Sequence, residues 1–83
     1  TEYMETRIRS VMSSVLGIDQ GMIVETTSFG VIEAWDSMNH MLLMLALEEE
    51  FGIEFSDEEL GSLKDFKSIY LALVEKNDPV KPE

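Results

Sequence analysis

The chain contains no cysteine, two prolines and one histidine in 83 residues. Without cysteine there can be no disulfide staple, no thiolate nucleophile and no Cys-ligated metal. Long apolar runs are missing as well. The longest, Met41 to Leu47, falls far short of the roughly 18 residues a bilayer span requires. No stretch has the basic start and apolar core of a signal peptide, so the cytoplasm is the expected location. Positive charge is absent from a long interval, with no Lys or Arg between Arg9 and Lys64. That interval holds Asp19, Glu25, Glu33, Asp36, Glu48, Glu49, Glu50, Glu54, Asp57, Glu58 and Glu59, so the whole net charge of −11 sits in the middle of the chain. Such a surface repels phosphate backbones and anionic lipid, which argues against nucleic-acid binding and membrane docking. Basic protein surfaces are the expected partners.

What is present suits one small helical domain. A chain of this length buries only about 60% of its unfolded surface, enough for one core but not for a deep catalytic cleft. Its 45% apolar content still separates it from disordered acidic tails. Met4, Ile8, Val11 and Val15 have the spacing of one buried helix face, predicting a first helix over about 2–16 that Gly17 ends. A long connection follows, broken by Gly21, Thr26, Thr27, Ser28 and Gly30. Its Ile23, Val24, Phe29, Val31 and Ile32 suggest a segment pinned to the core. A second helix is expected from Ser37 to Phe51, with Asp36 as N-cap and Gly52 as stop. Ser56-Asp57-Glu58-Glu59 matches a capping box and predicts a short helix through Leu60. Ser62-Leu63-Lys64-Asp65 gives a weaker start signal for a last helix to about Asn77, its buried stripe being Phe66, Ile69, Tyr70 and Leu73. Pro79 and Pro82 mark residues 79–83 as a flexible C-terminal tail after a domain over 1–78. The expected fold is all-α, three principal helices plus one short helix with a long loop between helices 1 and 2.

Trp35-Asp36-Ser37-Met38-Asn39-His40 is the segment richest in chemistry. Ser37 follows an N-cap Asp in the first turn of the second helix, where free N–H groups and the helix dipole favour negative charge. A phosphate on Ser37 would be stabilised there. On the residues alone, Asp36 and Ser37 can equally be ordinary helix starters.

The wider pattern decides between these readings. Asp36-Ser37-Met38 leads into an apolar helix, then Ala46-Leu47-Glu48-Glu49-Glu50-Phe51-Gly52-Ile53, then Asp57-Glu58-Glu59-Leu60. Over about residues 3–75 this resembles the acyl carrier protein family. The resemblance implies an acyl-carrier-like bundle in which Ser37 carries a covalent 4′-phosphopantetheine arm derived from coenzyme A, with Asp36 beside it. The arm's thiol would hold acyl or aminoacyl cargo as a thioester, which reconciles thioester chemistry with a chain lacking cysteine. The implied partners are a phosphopantetheinyl transferase, an acyl- or aminoacyl-loading ligase, and downstream transferases or synthases with basic docking surfaces. The carrier is expected to be a monomer and not itself an enzyme. Met38 stands where the family usually has Leu, a mild exchange of similar volume. Asn39 and Leu42 stand where fatty-acid-type carriers are acidic, and Trp35 is closer to free-standing carriers of specialised pathways.

The second helix has more apolar surface than one core stripe requires. With Leu43, Met44, Leu47 and Phe51 facing the core, Met38, Met41, Leu42 and Leu45 remain as a second strip beside Ser37. Together with Asn39, and with Glu48 and Glu49 as an anionic rim, it reads as a partner-binding face. The alternatives are a helix buried on two sides, or a helical interaction module with no prosthetic group. His40, three residues after Ser37, is expected to be exposed near the base of the arm. A Ser37–His40 hydrolase dyad lacks both a Gly-x-Ser-x-Gly elbow and a pocket. The carboxylates from Glu48 to Glu59 lack EF-hand spacing, so no metal site is expected.

Overall fold

The computed structural model describes residues 2–76, which form four helices: α1 (Glu2–Leu16), α2 (Ser37–Phe51), α3 (Asp57–Ser62) and α4 (Phe66–Lys76), with a single 3₁₀ turn at Gln20–Met22 before α2. Among the described residues, β-structure is limited to isolated bridges. The two long central elements obey their local signals. α1 ends where Gly17 adopts φ 69°. α2 begins after Asp36, whose side chain accepts from the Asn39 N–H, and ends at Gly52, left-handed at φ 64° with its N–H on the Glu48 carbonyl. Only glycine takes that last conformation without steric cost.

Some expectations shift on packing. The buried stripe of α1 is Ile8, Met12 and Leu16, while Met4, Val11 and Val15 are half-buried at its margin. The phase is rotated because α1 packs against both α2 and α4 and buries the side that meets them. The capping box at Ser56 and Glu59 forms in both directions, yet α3 runs two residues past Leu60. α4 is capped not by Ser62 but by Asp65, whose carboxylate accepts from the Ser68 N–H at 2.7 Å. Phe66, Ile69 and Leu73 of α4 are buried, and Tyr70 is half-buried. Asn77, the 1–78 boundary and the 79–83 tail lie outside the described residues.

The long connection is pinned, as its apolar content implies. Ile23 is buried, and Arg9 donates to its carbonyl at 3.0 Å while lying over the Phe66 ring. Further on, the Phe29 N–H donates to Lys64 at 2.8 Å and the Phe66 N–H donates to Thr27 at 2.9 Å, tying the loop to the entry of α4. Val24 and Val31, expected among the pinned residues, are instead exposed. At the far end of α2, Arg7 donates to both the carboxylate and the carbonyl of Glu50 and covers the Phe51 ring. A cation is well placed there against the carbonyl end of the helix dipole.

Lys76 closes the α3–α4 corner by pairing with Glu59 at 2.9 Å. The Glu59 carboxyl lies below its ordinary value of 4.5. Partial burial raises it, but the Ser56 hydrogen bonds and the Lys76 ammonium outweigh that effect. The folded state therefore holds this proton less tightly than the unfolded chain. The stability it contributes is present above 4.5 and is lost as pH falls through the lower folded value. Urea unfolding midpoints measured from neutral to acid pH should fall more steeply for wild type than for Glu59→Gln. Parallel pH profiles would contradict the assignment.

Candidate functional site

The site begins with the start of α2. Asp36 is extended at φ −103°, ψ −175° and turns its carboxylate to the Asn39 N–H at 2.9 Å. Ser37 is the first helical residue and is exposed. By helix geometry, the N–H groups of Ser37 and Met38 have no partner within the helix. An exposed hydroxyl beside unspent donors at the positive end of a 15-residue helix suits a singly charged phosphodiester. The residues present thus fit the attachment of a phosphate-linked arm. Among the described residues, the sole histidine does not pair with Ser37 as a base.

His40 accounts for that last point, and it corrects the expected exposure. It is buried at 5% exposure, with Nδ1 accepting from Trp35 Nε1–H at 3.0 Å and Nε2 against the Leu60 carbonyl at 2.8 Å. Trp35 must donate, so Nδ1 is the acceptor and Nε2–H donates to Leu60. Both ring nitrogens are spent on structure. Trp35 is fully buried and stacks near His40 at 6.1 Å, and Phe29 meets the same imidazole edge-on at 5.8 Å. The signal for this burial lies in the helical phase of His40, which it shares with Leu43, Met44 and Leu47. The proximity of Ser37 in sequence obscures it.

The outer face of α2 carries the second apolar strip. Met38 is 74% exposed, and Met41, Leu42 and Leu45 are about half exposed. Leu43, Met44, Leu47 and Phe51 face inward as expected. Glu49 is exposed along the same outer strip. Two other residues of the expected face have work inside the fold. The Asn39 side-chain amide donates to the Ala34 carbonyl at 2.7 Å, and the half-buried Glu48 carboxylate accepts from the Phe55 N–H at 2.8 Å. Val31, expected against the core, is 79% exposed. It follows Gly30, whose N–H meets the Trp35 carbonyl, so it lies near the start of α2. No periodic pattern marks a loop residue of this kind.

The described residues hold no cluster of His, Asp or Glu suited to a metal, and no described helix is long and apolar enough to cross a membrane. Residues 6–70 match the family described as phosphopantetheine attachment site. An acyl carrier protein of Thermosynechococcus vestitus is 33% identical over 63 residues, covering 76% of this chain and 78% of that protein.

Proposed function

This chain belongs to the acyl carrier protein family with its phosphopantetheine attachment site, and from that premise we propose that Ser37 bears the arm and that the loaded chain shuttles acyl or aminoacyl cargo between enzymes of a specialised biosynthetic pathway. Its prosthetic group is 4′-phosphopantetheine, and its role is that of a carrier and not of a catalyst. When attached, that group supplies the thiol that holds cargo as a thioester. The observation that carries the assignment is the exposed Ser37 hydroxyl at the first position of α2, flanked by an apolar strip that folding leaves uncovered.

The chain's own residues have separable tasks in this reading. Asp36 fixes the helix start and thereby the direction in which Ser37 projects. Met38, Met41, Leu42 and Leu45 supply the apolar centre of the docking face, and unbranched methionines let it adapt to several partners. Glu49, with the acids of the base-free interval, steers basic enzymes toward that centre, raising encounter rates more than it tightens complexes. Glu48 lies at the rim, although its carboxylate is also committed to Phe55. Asn39 borders the face while anchoring it to Ala34. The partners are a phosphopantetheinyl transferase, a loading ligase and downstream transferases, met by a monomeric carrier in the cytoplasm.

Incubation with coenzyme A and a broad-specificity phosphopantetheinyl transferase tests the proposal. The chain should gain one phosphopantetheine in intact mass, and no gain would contradict the carrier assignment. The docking face has its own test. Leu45→Glu places a charge in the apolar centre, and a hot-spot loss of about 2 kcal/mol corresponds to a fall of about thirtyfold in transferase kcat/KM. Leu71→Glu, on an equally exposed leucine of α4, should leave the rate unchanged. Equal rates for both variants would remove α2 from the docking surface. Leu42 stands where the family resemblance places an acid, so fatty-acid elongation enzymes should process the loaded chain slowly. Leu42→Glu should raise that rate, and fast elongation of the wild type would argue against a specialised pathway.

A further inference from the structure

His40, Met44 and Glu48 stand four residues apart and so form one row along α2. This row faces the segment from Phe55 to Leu60. At one end His40 Nε2–H donates to the Leu60 carbonyl at 2.8 Å, and at the other the Phe55 N–H donates to Glu48 at 2.8 Å. Met44, fully buried, fills the interval. Behind His40, the fully buried Trp35 fixes the imidazole through its indole N–H. Ser37 lies one turn before His40 at the edge of this row, so a group attached there reaches the core most directly through the seam between α2 and residues 55–60.

We infer that the His40–Leu60 and Glu48–Phe55 bonds hold this seam shut, so that cargo on the arm stays outside, along Met38, Met41 and Leu45, and does not enter the core. The inference rests on Ser37 as the attachment site. Parting the seam would leave the His40 and Leu60 groups without partners in apolar surroundings, and a chain entering there would also have to displace the fully buried Met44. The cargo class this favours is small or polar, an aminoacyl or short acyl group whose thioester is presented to partners instead of being sheltered.

The test loads the wild-type chain from acetyl- and octanoyl-coenzyme A with a broad-specificity transferase and verifies each product by intact mass. Absence of added mass would overturn both the attachment reading and this one. With loading verified, the amide resonances of Met44, Leu47 and Ile69 should coincide in the two forms. Hydroxylamine should cleave both thioesters with a rate ratio of about 1, since neither is withdrawn from water. Displaced core resonances together with slower cleavage of the octanoyl form would overturn the closed seam. In His40→Ala, which removes the seam bond to Leu60 together with the acceptor for Trp35 and opens space, the octanoyl thioester should become the slower of the two to cleave. A ratio still of about 1 in that folded variant would overturn the role of His40. The wild-type comparison decides the main claim whatever the stability of the variant.

Discussion

Trp35→Ala should come close to unfolding the domain. Trp35 is fully buried, and truncating a core Trp to Ala costs about 3–5 kcal/mol through lost burial and the cavity left behind. The substitution also strips His40 Nδ1 of its donor, and an orphaned buried acceptor adds about 1–3 kcal/mol. Domains of this kind have only about 5–15 kcal/mol of total stability. At roughly 4–8 °C per kcal/mol for a small domain, thermal melting should move down by at least about 12 °C. Trp35→Phe keeps a buried aromatic ring at this position while giving up the N–H and part of the indole volume. Its loss should be clearly smaller. A melting temperature within a few degrees of wild type for Trp35→Ala would show that the indole does not anchor the start of α2.

The second large effect is functional and leaves the fold alone. Ser37→Ala should abolish phosphopantetheine transfer completely, because in the proposed attachment the Ser37 hydroxyl oxygen, losing its proton, forms the new bond to the pantetheine-side phosphorus of coenzyme A while that phosphorus's pyrophosphate P–O bond breaks and adenosine 3′,5′-bisphosphate leaves. Ser37 is exposed, and Ala is tolerated in the first turn of a helix, so stability should change by no more than about 0.5 kcal/mol. Circular dichroism and melting should match wild type while the mass gain vanishes. A gain that persists in the variant would move the attachment to another hydroxyl. These two substitutions, two residues apart, thus separate support of the site from its chemistry.

Sequence patterns made α2 legible to the residue, because Asp36 and Gly52 punctuate an unbroken apolar run and each performs the local hydrogen bonding expected of it. The capping box at Ser56 was readable for the same reason. Those features depend on neighbours within one helical turn. What could not be read depends on contacts far along the chain. The stripe of α1 rotates to Met12 and Leu16 because two other helices choose its buried side. His40 is buried because Leu60, twenty residues on, offers a carbonyl, and because Trp35 folds back across the helix start. Similarly, Glu48 looks like a rim charge until the turn after Gly52 brings the Phe55 N–H to it. In the candidate site, the serine and the apolar strip are local and were legible; the supports beneath them are tertiary and were not.

The central claim is tested most directly on the protein taken from its native cells, by intact mass followed by fragmentation of the peptide that contains Ser37. The account predicts a phosphopantetheine group on Ser37, bearing a small acyl or aminoacyl thioester when the chain is isolated under conditions that preserve it. A chain isolated wholly unmodified, or one carrying the group on a residue other than Ser37, would contradict it.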